Sequence, residues 1–417
     1  MIDTEKLSEM NYWWKFGSIR EEFALPYKRK LFDKILKYLK LRQIIGIVGL
    51  RRVGKTTLIY QIIDYLIKNG INQKDIIYFS FDEAKNEPRE ILRVYEESII
   101  KEKISNRKIF IFFDEIQKVE DWQNKIKVFY DLYPNIKFFI SGSASLDILL
   151  KAKESLAGRI FYFYLDLLSF EEFLELSGMN VKEIKKNPEL WKKELRIGLN
   201  NYLIKPLPEI ATVSDDIAKK YIKEAVVEKI IMRDLRSLFE IREAEALEKI
   251  VDLIASNPGL IINLDDVAKD FGISRQALSN YLYYLRSSFL IKDLKNFRGS
   301  FKASSRKLKK YYPLHPCFSS AEMSKMAENL VAFKTKANYY WREKEKEVDF
   351  VLKDKEILPV EVKYKKDIRE KELKSILKFM EKFKSKRAII ITEDYESEKI
   401  VKGKIIKCTP LWRWLLT

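Results

Sequence analysis

The sequence has 417 residues, 47% of them apolar, so it is long enough for about two to four globular domains and too apolar for a disordered chain. Its two cysteines, Cys317 and Cys408, and its single histidine, His315, exclude a disulfide framework and a zinc-based fold. No apolar run reaches the roughly 18 to 20 residues of a membrane span, so we expect a cytoplasmic protein without a membrane partner.

The net charge of the chain is strongly positive. Lysine and arginine number 79 against 61 aspartates and glutamates, which gives a formal charge of +18. A surplus of this size favours polyanionic partners, because binding to a phosphate backbone releases counterions. We therefore predict DNA as a partner. Heat-adapted proteins and proteins of AT-rich genomes share this composition, so the charge alone leaves both interpretations open.

Short apolar runs alternate with helical patterns in the first half of the chain. Four of them predict strands, at residues 44–48, 76–81, 109–113 and 137–140. The runs are continuously apolar, as in strands that are covered on both faces, and their alternation with helices predicts a parallel sheet. We expect an N-terminal segment over residues 1–20 and an α/β core over residues 21–210.

A phosphate-binding motif follows the first predicted strand. Gly49-Leu50-Arg51-Arg52-Val53-Gly54-Lys55-Thr56 has the spacing G-x-x-x-x-G-K-[S/T] and precedes an amphipathic helix. Glycines let backbone N–H groups turn towards phosphates, the lysine reaches the terminal phosphates, and the threonine hydroxyl ligates Mg²⁺. The motif predicts an ATP or GTP site. Its predicted nucleotide-binding residues are Gly49, Arg52, Val53, Gly54, Lys55, Thr56 and Thr57.

The third predicted strand ends in two acids, Asp114 and Glu115. This is the pattern of one carboxylate that holds Mg²⁺, together with Thr56, beside a second that activates water. Ser141 and Ser143 follow the next strand, where a polar side chain senses the terminal phosphate or aligns the attacking water; a simple strand-to-helix turn fits equally well. We predict nucleotide hydrolysis, with Glu115, Lys55 and Ser143 as catalytic residues.

These motifs resemble the AAA+-like branch of the P-loop ATPases, in which the nucleotide is ATP. Four segments are similar to a widespread prokaryotic and archaeal ATPase family with an incompletely characterised C-terminal domain: Asn11-Tyr12-Trp13-Trp14, the phosphate loop, Ser141-Gly142-Ser143 and Leu156-Ala157-Gly158-Arg159. The likeness covers nearly the whole chain. It implies ATP and Mg²⁺ as cofactors and Arg159 as a catalytic γ-phosphate ligand, within its own subunit or across an interface. A structural arginine is the alternative.

The pattern becomes helical after Pro206 and Pro208. Residues 264–290 have helix-turn-helix spacing, and Arg275, Gln276 and Asn280 lie near the start of the second helix, where a DNA-reading helix carries polar side chains. We predict a DNA-binding winged-helix domain over residues 211–297. A winged helix that packs on the ATPase or contacts proteins is the alternative.

Strand patterns return in residues 298–417. Asp349 lies on one predicted strand, and Glu361 and Lys363 lie on the next, where alternate residues share a face. Two carboxylates and a lysine suit Mg²⁺-dependent phosphodiester cleavage. The arrangement resembles the PD-(D/E)xK nuclease fold, which adds Glu328 from a preceding helix. We expect an α+β restriction-endonuclease-like domain, either an active nuclease or an inactive nuclease fold that contacts proteins.

The sequence as a whole predicts an ATP-hydrolysing AAA+-like ATPase that acts on DNA, in which ATP turnover switches a winged-helix and nuclease-like module. The alternative is a signalling or regulatory ATPase whose C-terminal domain is an inactive nuclease fold. The sequence leaves the oligomeric state open, and a homo-oligomer and protein partners fit both interpretations.

Overall fold

The computed structural model describes residues 4–82, 86–143, 155–236, 239, 241, 244–299, 308–353 and 356–417. It forms two compact units, Met1–Leu167 and Leu168–Thr417. Residues 168–210, which the sequence pattern attaches to the first domain, belong to the second unit. The reason is hydrophobic burial, because Phe170 and Tyr202 join one buried cluster with Leu411 and Trp412 near the end of the chain.

The first unit is built on a parallel sheet. Its strands are β1 (Ile44–Val48), β2 (Ile76–Ser80), β3 (Ile109–Asp114), β4 (Ile136–Gly142) and β5 (Ile160–Tyr164). Its helices are α1 (Thr4–Met10), α2 (Trp13–Phe16), α3 (Lys30–Leu36), α4 (Lys55–Lys68), α5 (Pro88–Val94) and α6 (Trp122–Leu132). The strand order is β2-β3-β4-β1-β5, and every neighbouring pair is parallel. The predicted parallel α/β core is confirmed.

The burial of the strands explains why four of them were visible in the sequence and one was not. Every residue of β1, β3 and β4 is buried, which produces the continuous apolar runs. Strand β5 lies at one edge of the sheet, and its Phe161 and Tyr164 are exposed. Because all strands run in one direction, the residues that follow β1, β3 and β4 meet along a single edge of the sheet.

The N-terminal helices cover the opposite edge strand, β2. The Asn11 side chain accepts a hydrogen bond from the Tyr78 N–H (2.6 Å) and donates one to the Tyr78 carbonyl (2.8 Å), so it pairs with the strand as another strand would. The indoles of Trp13 and Trp14 donate to the Ile76 carbonyl. Side chains thus satisfy the free backbone groups of an edge strand, which would otherwise favour pairing with another chain.

The second unit combines helices with a mixed sheet. Its helices are α7 (Phe170–Leu176), α8 (Val181–Lys186), α9 (Lys192–Ile204), α10 (Asp215–Tyr221), α11 (Ala244–Ser256), α12 (Leu264–Asp270), α13 (Arg275–Ser287), α14 (Met323–Thr335), α15 (Lys374–Lys382) and α16 (Leu411–Trp414). Its strands are β6 (Leu260–Ile262), β7 (Ile291–Asn296), β8 (Lys309–Pro313), β9 (Tyr339–Glu343), β10 (Lys346–Lys353), β11 (Ile357–Lys363), β12 (Arg387–Thr392), β13 (Ser397–Val401) and β14 (Lys404–Pro410).

The nine strands of this unit form one continuous sheet in the order β13-β14-β12-β11-β10-β9-β7-β8-β6. The predicted boundary between the two C-terminal domains, at residues 297 and 298, therefore falls between β7 and β8, which pair with each other. This continuity brings β8 to the same sheet as the acidic strands β10 and β11. None of the helices in the described ranges is long and apolar enough to cross a membrane.

The edge contact of Asn11 generates a stability prediction. We expect Asn11→Ala to lower the free energy of unfolding of the first unit by about 2 kcal/mol, because it leaves the buried N–H and carbonyl of Tyr78 without partners. Urea titration measures this loss, and hydrogen exchange of the peptide 76–80 should accelerate. Asn69→Ala is the control, since the exposed Asn69 amide donates to the Tyr65 carbonyl of its own helix. Equal effects of the two substitutions would contradict the assigned role of Asn11.

Candidate functional site

The phosphate loop connects β1 to α4 at the carboxyl edge of the sheet. Gly49 is required because a Cβ atom at this position would lie 2.2 Å from the Leu165 carbonyl oxygen. Gly54 has a φ of +94° and Arg52 a φ of 68°, so two residues of the loop adopt the left-handed conformation. The loop leads into the N-terminus of the 14-residue helix α4, whose free N–H groups favour an anion.

Lys55 begins helix α4 and turns back over the loop. Its ammonium lies 3.2 Å from the Gly49 carbonyl and 3.1 Å from the Leu50 carbonyl, and its side chain is 6% exposed. The nearest carboxylate oxygen in the site, Oε1 of Glu115, is 3.9 Å away. The loop therefore combines a buried cation, a tight backbone turn and a helix N-terminus, a set that fits the phosphates of a nucleotide.

Asp114, the last residue of β3, is the common hydrogen-bond acceptor of the site. Its Oδ2 accepts from the Thr56 hydroxyl (2.7 Å) and the Tyr78 hydroxyl (3.1 Å). Its Oδ1 accepts from the Ser141 hydroxyl and from the Glu115 N–H (3.1 Å). These donors come from α4, β2 and β4 as well as from the residue after β3. The hydroxyl of Thr56 and the carboxylate of Asp114 form an oxygen donor pair that fits Mg²⁺.

The pKa of Asp114 reflects opposing effects. Burial raises this pKa above its ordinary value, and the charge of Glu115 adds to the rise. The hydrogen bonds from Ser141 and Thr56 lower it, as does the positive charge of Lys55. A bound divalent cation would favour the ionised carboxylate in the same way as Lys55 does.

Glu115 lies directly beside this pair in a strained conformation. Its φ of 53° is unusual for a residue other than glycine, and such strain is often found at functional sites. Its Oε2 accepts hydrogen bonds from the Ser143 hydroxyl (3.0 Å) and the Gln117 amide (2.5 Å). The structure therefore brings Ser143 to Glu115 and Ser141 to Asp114, so the serine near the end of β4 and the serine just after it each contact one of the two acids.

Three residues around the loop were not identified from the sequence as site residues. Tyr78 donates to Asp114, as described above. The buried guanidinium of Arg29 donates to the Val53 carbonyl (3.2 Å) and to the carbonyl of Leu167 (3.1 Å), so it connects the phosphate loop to the segment after β5. The Gln61 amide binds the carbonyls of residues 25 and 27. Tyr78 and Gln61 lie inside apolar runs, so the sequence pattern did not indicate a role in the site. Arg29 lies in a short polar stretch before the core.

The structure does not bring Arg159 to this site within one chain. Arg159 precedes β5, and its carbonyl accepts from the N–H of Ile44 at the start of β1, so it lies at the amino edge of the sheet. The phosphate loop follows the other end of β1, roughly 13 Å away at about 3.3 Å per residue. The Arg159 guanidinium binds Asp131 at 2.9 Å and 3.2 Å. Contact with a nucleotide would therefore require a neighbouring copy of the chain.

The predicted DNA-binding residues lie at the start of α13. Arg275 and Gln276 are exposed and Asn280 is half-buried. The Gln276 amide donates to the Asn280 side chain (3.0 Å), and Arg275 forms an exposed ion pair with Asp265 (3.2 Å). Arg275 and Asn280 also line a cavity of about 510 Å³ between this helix and the strands β6 to β8.

The predicted nuclease residues lie on three neighbouring elements of the second unit, but a lysine lies among them. The ammonium of Lys310 on β8 is 2.8 Å from Glu328 Oε1, 2.8 Å from Glu347 Oε1 and 3.4 Å from Asp349 Oδ1. Lys363 binds Glu361 at 2.7 Å. In the described part of the chain, no group of three or more His, Cys, Asp or Glu side chains is placed to hold a metal ion. Each of the predicted Mg²⁺ ligands Glu328, Asp349 and Glu361 thus lies near a lysine ammonium in this arrangement.

The pKa shifts in this cluster follow from burial and from the lysines. Burial raises the pKa of Glu361 to about 7, against the opposing charge of Lys363. Burial also raises the pKa of Glu328, but the charges of Lys310 and Lys325 outweigh this effect and bring it down to about 2. Burial lowers the pKa of Lys310, yet Tyr312 and the surrounding carboxylates raise it well above its ordinary value.

Comparison with known proteins agrees with the geometry of the first unit. Residues 41–174 match a family described as an AAA domain. Residues 202–317 and 324–414 match two domains of unknown function, DUF8612 and DUF4143. The AAA match contains the phosphate loop, both acids and both serines. Residues 41–174 are therefore similar to an AAA domain, whereas the other two matches assign no activity.

Several proteins are similar over most of the chain. An uncharacterized protein of Methanocaldococcus jannaschii is 29% identical over 433 residues, covering 96% of this chain and 94% of its own. An uncharacterized protein of Haemophilus influenzae is 25% identical over 415 residues, covering 94% and 99%. Among solved structures, a Walker-type ATPase of Pyrococcus abyssi is similar at 17% identity and a TM-score of 0.43, covering 70% of this chain and 94% of its own.

The position of Arg159 generates a prediction about nucleotide binding. We expect Arg159→Ala to change the Kd for ATP by less than about threefold under conditions where the chain is monomeric, because the two sites are too far apart to couple. Titration with a fluorescent ATP analogue measures the Kd. Lys55→Ala is the positive control and should abolish binding, since it removes the cation of the loop. A tenfold or larger loss in Arg159→Ala would place this arginine at the nucleotide of its own subunit.

Proposed function

We propose that this protein hydrolyses ATP in a Mg²⁺-dependent reaction and uses the turnover to control a DNA-binding C-terminal module. The observation that carries the ATPase proposal is the hydrogen bond of 2.7 Å between Thr56 and Asp114, with Glu115 and Lys55 beside it. Two Mg²⁺-type oxygen donors, a water-activating carboxylate and a phosphate-binding cation thereby converge on one edge of the sheet.

Each residue has a distinct task in this proposal. Lys55 and the N–H groups of the loop bind phosphate oxygens, while Thr56 and Asp114 hold Mg²⁺. The metal, when bound, supplies positive charge against the phosphates. Glu115 takes a proton from the attacking water, and Ser143 orients its carboxylate by the hydrogen bond of 3.0 Å. Ser141 and Tyr78 orient Asp114 in the same way.

Removal of the proposed base tests the hydrolytic reaction. We expect Glu115→Gln to retain ATP binding and to lower the turnover rate by at least about 100-fold, because an amide cannot accept the proton of water. Phosphate release in the presence and absence of Mg²⁺ measures the rate. Glu120→Gln is the matched control, since Glu120 lies on the same loop but is exposed. Equal turnover in wild type and Glu115→Gln would contradict the proposal.

Three observations support a DNA-binding module. The element order α11-β6-α12-α13-β7-β8, with β6 and β7 both paired to β8, is compatible with the proposed winged helix. Helix α13 would be its DNA-reading helix: Ser274 caps its N-terminus by accepting from the Ala277 N–H, and Arg275 and Gln276 are exposed in its first turn. The net charge of +18 favours contact with a phosphate backbone.

The salt dependence of DNA binding tests the proposed DNA contact directly. We expect the protein to bind duplex DNA with an affinity that falls steeply as salt rises, and Arg275→Ala with Gln276→Ala to weaken binding by about tenfold or more. Fluorescence anisotropy with labelled duplex measures both effects. Lys249→Ala is the control, because it removes an exposed lysine of α11.

Absence of DNA binding at low salt would refute the DNA role and favour the second candidate function. That candidate is a signalling or regulatory ATPase whose nuclease-like domain contacts proteins. The ion pairs of Lys310 favour this second candidate, because they argue against metal-dependent cleavage by the C-terminal domain.

A further inference from the structure

The carboxylates of the C-terminal domain are already neutralised by the protein's own cations. Four carboxylates gather around β8, β10, β11 and α14: Glu328, Glu347, Asp349 and Glu361. Four cationic side chains pair with them: Lys310, Lys325, Arg342 and Lys363. The carboxylates and cations balance, whereas an octahedral Mg²⁺ site needs uncompensated carboxylate oxygens.

The contacts of the individual carboxylate oxygens also show that the acids are already paired. Glu328 Oε1 contacts Lys310 and accepts from the Tyr312 hydroxyl (2.7 Å), and Glu328 Oε2 binds Lys325 (3.0 Å). Asp349 Oδ1 faces Lys310 (3.4 Å) and Oδ2 accepts from the Val362 N–H (2.8 Å). Within the described ranges, the one carboxylate oxygen of Glu361 not bound to Lys363 is buried without a hydrogen-bond partner. A single such oxygen cannot organise a divalent cation.

The local structure is built to place Lys310 in this position. Lys309 and Lys310 are neighbours on β8, so their side chains point to opposite faces of the sheet. Lys309 binds Asp293 (2.7 Å), whereas the Lys310 side chain is 3% exposed and turns to the acids. Gly259 makes room for it, because a Cβ atom there would lie 2.9 Å from both Glu328 Oε1 and Lys310 Cε. The space for the ion pair therefore depends on a glycine outside the cluster.

We propose that this acidic cluster is a cation site whose resident cation is the ammonium of Lys310, so that the native C-terminal domain binds no divalent metal and cleaves no DNA by a metal-dependent route. Lys310 holds β8 to β10 and α14 as a metal ion would. A divalent cation can enter only after Lys310 is removed. This inference is independent of the proposed ATPase activity, because it concerns residues of the second unit alone.

The test is a measurement of Mn²⁺ binding to the full chain without nucleotide. All proteins carry Asp114→Asn, so that the ATPase site lacks the carboxylate proposed to hold its metal ion. The loss of the free Mn²⁺ signal in electron paramagnetic resonance reports binding. We expect no specific Mn²⁺ site in the parent protein. Lys310→Ser should gain one site that binds Mn²⁺ at least about tenfold more tightly than any weak binding by the parent, because Glu328, Glu347 and Asp349 lose their shared cation. Lys309→Ser, the matched control on the same strand, should gain none.

The new site should disappear when Asp349→Asn is added to Lys310→Ser. A folded Lys310→Ser protein that gains no Mn²⁺ site would overturn the proposal. If Lys310→Ser does not fold, the parent protein decides the question: Mn²⁺ binding that Asp349→Asn abolishes overturns the proposal, and an absence of binding supports it. Circular dichroism identifies the folded variants. Cleavage of duplex DNA by the wild type with Mg²⁺ or Mn²⁺, abolished by Glu361→Ala, would also overturn it.

Discussion

A buried carboxylate needs compensation by hydrogen bonds or by positive charge, and Asp114 shows how the first unit meets this need. Thr56, Tyr78 and Ser141 each direct a hydroxyl to it, and each lies on a different element of the fold. The parallel sheet makes this convergence possible, because the carboxyl ends of its strands meet at one edge. Assembly of the site therefore depends on the sheet, and the N-terminal Asn11 contributes by hydrogen bonding to the backbone of Tyr78.

The second unit compensates the charge of its carboxylates in a different way. Glu328 and Glu361 are buried, as Asp114 is, but the ammonium groups of Lys310 and Lys363 lie beside them. A hydroxyl group leaves a carboxylate its negative charge and hence its affinity for Mg²⁺, whereas an ammonium group neutralises it. Under the two proposals, the acidic centres of the chain differ in their capacity for metal chemistry, although both include acids at strand ends or within strands.

The sequence predicted the parts of the structure that depend on local pattern. The phosphate loop has fixed spacing and β1 and β3 are continuous apolar runs, so the sequence predicted that Lys55 and Asp114 lie at one edge of a parallel sheet; their roles stay predictions. Contacts between distant segments were not accessible. Tyr78 lies in an apolar strand, and Lys310 is one of many lysines, so nothing in the sequence reveals that either contacts an acid. The position of Arg159 depends on β5, the strand that the sequence did not reveal, because a residue that precedes a parallel strand lies at the edge opposite to the phosphate loop.

The central claim is that Thr56 and Asp114 hold the Mg²⁺ that accompanies ATP. Isothermal titration with a slowly hydrolysed ATP analogue, in the presence and absence of Mg²⁺, tests it most directly when wild type is compared with Asp114→Asn. The account predicts that Mg²⁺ strengthens binding to the wild type by about tenfold or more and leaves the affinity of Asp114→Asn nearly unchanged. An equal effect of Mg²⁺ on the two proteins would contradict it.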